Sequence, residues 1–312
     1  FGMVSWGLPE DLSDMIRGTG SWEHPGEYQI LDGTNIGRSD AIWRQLYMAI
    51  RDCNIPLSRL ADSKVDNDVK AKYEGQFRFL RGFYYFYLVR CFNKGVLRTE
   101  ENMGESDLAI SDDKTLYDFI IKDLEFAADN APDKVSLSGL PTKYAALAVL
   151  SDVYLWQKNY GKAAECAKKV IDSGNYKLVR LSKMEDFDNV FGPKLGTSSE
   201  EIFYQKFDNS TSGASSSITM FLSYPGAMPR GQAINPNGGW HGFYSKSSDP
   251  IITSWNQKDV RRQYDLYEQD LGLNIGVTYI PSKFTDPSSL SGGNDLPLVR
   301  YTDVLLNYAE AV

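Results

Sequence analysis

Two tryptophans stand in turn-rich stretches among side chains that donate and accept hydrogen bonds: Trp22 beside Glu23, His24 and Tyr28, and Trp240 beside Asn237, His241 and Tyr244. An exposed flat ring can stack on the apolar face of a ligand while amide, imidazole, carboxylate and phenol groups hold its polar rim. The plainer alternative is that each indole plugs its loop onto the rest of the fold. Trp6 is a weaker candidate. Trp43, Trp156 and Trp255 fall at helical positions, where burial is expected.

Catalytic chemistry finds little to use. His24 and His241 are the only imidazoles, so a histidine-rich metal centre is excluded by count. Cys53, Cys91 and Cys166 have no metal spacing and read as buried free thiols. The chain has no G-x-S-x-G elbow, P-loop, G-x-G-x-x-G after a strand, C-x-x-C or H-E-x-x-H. Carboxylate pairs for glycoside hydrolysis are guaranteed by 41 acidic residues, so their presence argues nothing. Asp32, Asn35 and Asp40 offer oxygens to Ca2+ but lack EF-hand spacing. No catalytic residue, metal or cofactor is therefore predicted. With 33 basic side chains against those 41 acids, the net charge of −8 argues against a partner bound through nucleic-acid phosphates.

The elements that would carry the two loops are mostly helices. In 312 residues with 42% hydrophobic side chains there is room for a large core without disulfides. The first forty residues are rich in turn formers. From Asp40, a plausible N-cap, apolar residues recur at steps of three and four through Trp43, Leu46, Tyr47 and Ile50. A second, longer helix runs through Val69, Tyr73, Phe77, Leu80, Tyr84, Leu88 and Cys91, with Phe79, Phe83 and Phe86 beside that stripe, so it must be buried on more than one side. Arg78 and Arg81 on it, and Arg300 with Asp303, read as structural ion pairs. Thr115 and Asp118 have capping-box spacing, Pro141-Thr142 opens a further helix, and Asn159-Tyr160 opens one that Gly174 stops. The last two fit the tetratricopeptide spacing as Leu147-x2-Leu150-Ser151-x2-Tyr154 and Ala163-x3-Ala167. Beyond Gly174 come short pieces: a strand over 201–207, a loop-like stretch over 208–249, a helix from Asp249-Pro250 to Trp255, and a final helix from Tyr301. No run of about 18 apolar residues spans a bilayer. The chain lacks an initiator Met and a stop signal in its last helix, and is expected to be a mature or truncated piece.

Several separated motifs occur together in one order. Trp43-x2-Leu46-Tyr47-x2-Ile50-x2-Cys53-Asn54 is followed by Gly75-Gln76-Phe77-Arg78-Phe79-Leu80-Arg81-Gly82-Phe83-Tyr84-Tyr85-Phe86 and by Thr142-Lys143-Tyr144-Ala145-Ala146-Leu147-Ala148. Val170-Ile171-Asp172-Ser173-Gly174-Asn175-Tyr176, Glu200-Glu201-Ile202-Phe203 and Leu298-Val299-Arg300-Tyr301 through Ala309-Glu310-Ala311 complete the set. From about residue 40 to the end the sequence resembles the SusD/RagB family of outer-membrane nutrient-binding lipoproteins.

The resemblance implies a mainly α fold: a tetratricopeptide-like helical body, a SusD-like α-α superhelix, with a loop-rich, short-strand region carrying the ligand surface. The corresponding division is 1–39 as an N-terminal loop segment contributing to that surface, 40–176 as the helical core, 177–296 as the loop-rich region, and 297–312 as the start of a further core helix. It implies non-catalytic binding of an oligosaccharide at the cell surface and delivery to a SusC-like TonB-dependent transporter. The protein would be a surface-exposed lipoprotein of the outer membrane, touching the membrane only through an N-terminal lipid anchor absent from this chain. For such a ligand, a pyranose with an apolar C–H face and a hydroxyl rim, the residues placed at the site are Trp22, His24, Tyr28, Asn237, Trp240, His241 and Tyr244. At about 1 kcal/mol per stacked ring, a few of them make a millimolar to micromolar binder. A peptide-capturing member, a tetratricopeptide adaptor and, less favoured, a carboxylate-based glycoside hydrolase are the alternative readings.

Overall fold

A computed structural model of the chain describes residues 17, 18, 23, 33, 36–208, 210, 243–270, 272, 276–286 and 292–312. In chain order the elements are β1 (Arg17–Gly18), α1 (Ile36–Leu60), α2 (Asn67–Phe92), β2 (Gly95–Val96), β3 (Ile110–Ser111), α3 (Asp113–Asn130), α4 (Lys143–Trp156) and α5 (Tyr160–Asp172). After a 3-10 turn at Met184–Phe187 follow α6 (Asp188–Phe191), β4 (Glu201–Gln205), β5 (Phe243–Lys246), α7 (Pro250–Ser254) and α8 (Val260–Asp265). The chain then forms β6 (Leu266–Asp270), β7 (Val277–Pro281), β8 (Leu296–Arg300) and α9 (Tyr301–Ala311). The fold is mainly helical, and no described helix is long and apolar enough to cross a membrane. Two compact units are formed, one from residues 43–178, 199–204 and 297–312, the other from residues 1–42, 179–198 and 205–296.

The first unit is helical. The Thr142 hydroxyl accepts from the Ala145 amide and the Asn159 side chain from that of Lys162, satisfying amides left over at the starts of α4 and α5. On α5 the buried residues Ala163, Cys166, Ala167 and Val170 form one stripe at steps of three and four, while α4 is buried on nearly every side, from Ala145 to Tyr154. Ser151 and Ala163 are fully buried, and small residues there let α4 and α5 pack closely. Helix α9 packs on both, where the Asn307 amide donates to the Ser151 hydroxyl at 2.9 Å. Helix α2 lies along α3, and its Phe79 and Phe83, stacked at 5.8 Å, both meet the edge or face of Phe203 from β4. β4 pairs with β8.

The second unit is built on an antiparallel sheet of order β1-β5-β7-β6. In the same unit Tyr264 is fully buried, stacked on Phe187 at 4.8 Å and beside Phe191, which meets Phe284 edge-on. The Tyr264 hydroxyl reaches the Lys283 carbonyl at 3.0 Å and Asp188 at 3.2 Å, so the ring is buried without stranding its polar end.

Local expectations differ from the structure in several places. α1 begins at Ile36, so Asp40 lies within the helix and is not its cap. α3 is capped by Asp112, whose carboxylate accepts from the Thr115 amide; Asp118 pairs with Lys114 instead of closing a capping box. Cys53 and Cys166 are buried but Cys91 is exposed, because it falls on the outer side of the last turn of α2. Trp156 is 52% exposed at the end of α4, with the Arg90 guanidinium 4.7 Å from its ring centre. The strand expected over 201–207 ends at Gln205.

Candidate functional site

Of the seven residues expected at the ligand surface, Trp22, His24, Tyr28, Asn237, Trp240 and His241 lie outside the described residues. Tyr244 is described: it is half-buried on β5, directly opposite Arg17 of β1. The next pair in the ladder is Gly18 with Phe243. Since the strands are antiparallel, the chain leaving β1 and the chain entering β5 depart from the same end of the ladder. Trp22 is four residues beyond Gly18, and Trp240 three before Phe243.

One carboxylate fastens this ladder. Asp249, buried at the start of α7, accepts from both Arg17 Nη2 (2.9 Å) and Arg17 Nε (3.3 Å), and from the Lys246 amide at 2.8 Å. Burial pushes its carboxyl up, but the Arg17 hydrogen bonds, the Lys246 amide and the nearby positive charges outweigh that and hold it below the ordinary Asp value. Pro250 at the first helical position has no amide to satisfy there. Neither Arg17 nor Asp249 stands out by sequence as a pair, since 232 residues separate them.

In the helical unit a buried charge cluster holds α1, α2, α3 and the segment after α2 together. The Arg81 guanidinium, 1% exposed, donates to both carboxylate oxygens of Asp123 (2.7 and 3.0 Å), to Asn54 Oδ1 (2.7 Å) and to Glu100. Arg78 pairs with Glu74 at 2.7 Å and reaches Asp123 at 3.4 Å. The structural role expected of these arginines is what the geometry displays. Arg300 differs: its guanidinium faces Glu200 at 3.4 Å, whereas Asp303 accepts from the Arg300 backbone amide at 2.7 Å.

Cavities open among the described residues of this unit. One, of about 560 Å3, lies along α3, α4 and α5 and is lined by Lys143, Lys162 and Lys169 as well as Glu125, Asp129 and Glu165. Two of its lysines are paired within the lining, Lys169 with Glu165 at 2.8 Å and Lys162 with Glu125 at 3.6 Å, while Lys143 pairs with Asp133 outside it at 2.7 Å. Another, of about 390 Å3, lies between α1 and the segment that follows α2. No group of three or more His, Cys, Asp or Glu arranged to hold a metal occurs among the described residues.

A helical unit with a tetratricopeptide-like pair, together in one chain with a small antiparallel sheet unit, defines a mainly helical class of fold. A family model described as "Starch-binding associating with outer membrane" matches residues 12–155. "SusD-like protein P2" of Formosa agariphila is 28% identical across 90% of this chain. The match spans 59% of that relative's own length. Among solved structures, a laminarin-binding SusD-like protein superposes with a TM-score of 0.80 at 23% identity, covering 99% of this chain and 74% of that one. Surface glycan-binding protein A from Bacteroides uniformis gives 0.79 at 20% identity, with 99% and 71% covered. The chain is thus similar to SusD-like proteins in sequence over these spans, and it shares their fold.

Proposed function

We propose that the protein captures an oligosaccharide at the cell surface without chemically altering it and passes it to a SusC-like TonB-dependent transporter of the outer membrane. The observation that carries the reading is the β1–β5 ladder, which pairs Gly18 with Phe243, four residues before Trp22 and three after Trp240 in the sequence. Trp22, His24, Tyr28, Asn237, Trp240, His241 and Tyr244 then form one ligand surface, with rings for the sugar C–H face and amide, imidazole and phenol groups for the hydroxyls. The family description and the glycan-binding names of the fold's relatives support the ligand class. A few stacked rings give a weak binder, which suits a protein that must release its ligand to a partner.

Glycan-array screening followed by calorimetry tests the site. Trp22→Ala or Trp240→Ala is expected to weaken binding about fivefold or more, corresponding to roughly 1 kcal/mol per lost stacking contact. Unchanged affinity in both variants would remove these loops from the site. Release of shortened sugars from a labelled oligosaccharide would favour a hydrolase, and tight binding of a linear peptide a peptide-capturing protein. Delivery is tested by co-purification with the transporter from outer membranes.

A further inference from the structure

We propose a second ligand pocket in the helical unit, selective for a sugar ring that carries a carboxylate or a sulfate. One wall is a single stripe of α1: Trp43, Tyr47, Arg51 and Asn54 follow at steps of four, four and three residues, which places them on one helical face. Val96, Arg98 and Met103 form the facing wall. This open groove, of about 390 Å3, falls within the roughly 300–1,000 Å3 of small-molecule sites.

The facing wall is held in place before any ligand arrives. The Tyr47 hydroxyl donates to the Val96 carbonyl at 2.9 Å and accepts from its amide at 2.5 Å. Two residues on, the Tyr85 hydroxyl does the same for Arg98, donating at 2.8 Å and accepting at 2.7 Å. Two phenols thus replace a neighbouring strand along Val96–Arg98. The Arg98 carbonyl also accepts from Asn54 Nδ2 at 3.1 Å, and Asn54 is tied to the buried Arg81 cluster. A wall fixed in this way loses little freedom on binding.

Charge selects the ligand. The lining contains two arginines and no acid, in a chain with 41 acidic against 33 basic residues. Among the described residues Arg98 has no carboxylate within ion-pair distance; its guanidinium donates to the Glu105 backbone carbonyl. Arg51 donates to Asp52, an exposed neighbour that is not part of the lining. The side-chain acceptors are already engaged, Tyr47 with Val96 and Asn54 Oδ1 with Arg81. A neutral sugar hydroxyl seeks both donors and acceptors, whereas these walls offer chiefly N–H donors and the rings of Trp43 and Tyr47. A carboxylate or sulfate on a ring fits both features, because guanidinium binds such anions by charge-assisted pairs.

That the anion is borne by a sugar rests on the proposed glycan reading, and the test separates the two. Calorimetry compares an oligogalacturonate, a sulfated galactan oligomer, a neutral cello-oligosaccharide and inorganic sulfate, against the wild-type chain and Arg98→Gln, Arg98→Lys, Trp43→Phe and Trp240→Ala. Circular dichroism confirms that each variant is folded. At least one acidic oligosaccharide is expected to bind more tightly than inorganic sulfate. Arg98→Gln should weaken it about tenfold or more, Arg98→Lys less, with any neutral-glycan affinity unchanged. Loss in the sulfated arm alone identifies a sulfate ester, and loss in the galacturonate arm alone a carboxylate. Equal loss of neutral and acidic ligands in Arg98→Gln, no loss in either acidic arm, or sulfate binding as tightly as the oligomers would overturn the pocket. Loss of neutral binding in Trp240→Ala with intact acidic binding would leave both sites standing. Failure of every glycan to bind would remove both.

Discussion

Asp249 shows how one side chain can fasten two strands that are far apart in sequence. Its two bonds from Arg17 and one from the Lys246 amide join β1 to the turn between β5 and α7. The carboxyl titrates below its ordinary value in the folded protein. Its contribution to stability is therefore fully present above the unfolded value of about 3.9 and lost as pH falls through the lowered folded value. Asp249→Asn should cost about 1 kcal/mol at neutral pH, read in urea melts, with the gap to wild type closing below about pH 4. A gap as large at pH 3 as at pH 7 would contradict that assignment. Tyr47 and Tyr85 teach a related lesson. Burial pushes the Tyr47 hydroxyl up to about 12, so it stays protonated and can keep donating to Val96 across the physiological range.

At the scale of elements, helix packing gives glycine opposite meanings at two positions. Gly75 of α2 is buried where α2 meets the end of α3, and a Cβ there would come within 2.7 Å of the Ala131 backbone nitrogen. Gly161, in the first turn of α5, has nothing within 4 Å of the corresponding position. Gly75→Ala should destabilise by about 1–3 kcal/mol through overpacking, despite the better helix propensity of alanine. Gly161→Ala should stabilise by about 0.4–1 kcal/mol, mainly by restricting the unfolded chain. Chemical denaturation of the two variants checks both signs, and a shared sign would refute the packing argument. The caps Thr142 and Asn159 act within three residues, which is why both helix starts could be read from sequence. The start of α3 was misplaced because Thr115 and Asp118 have capping spacing, yet Asp112, three residues earlier, takes the role. Two nearby acceptors compete for the same amides, and spacing alone does not rank them.

At the scale of the molecule, each unit is assembled from separated stretches of chain. The helical unit is completed by 199–204 and 297–312. Phe203 closes over Phe79 and Phe83, buried Glu200 accepts from Thr302 Oγ1 at 2.9 Å, and Val304 is fully buried. A chain ending at residue 296 would strip most of β8 from β4 and remove the buried Val304 from the helical unit. Its melting temperature is expected to fall by about 5 °C or more, with new binding of a hydrophobic dye; an unchanged melt without dye binding would show that the last segment is dispensable. The tetratricopeptide-like pair was legible because Ser151, Tyr154 and Ala163 keep its spacing, and the mainly helical SusD-like fold because so many motifs occur in one order.

Sequence by itself determined the existence of the long helices, two of their caps, the close packing of α4 on α5 and the family resemblance. Each rests on residues within a few turns of one another or on an ordered set of local motifs. Only the tertiary structure decided that Arg17 meets Asp249, that Asn54, Arg81, Glu100 and Asp123 share one buried cluster, and that Arg98 lines a pocket with Trp43. It also decided that Cys91 and Trp156 face outward although both belong to apolar runs. Hydrophobic periodicity says that a face is covered; which distant residue covers it is settled by packing.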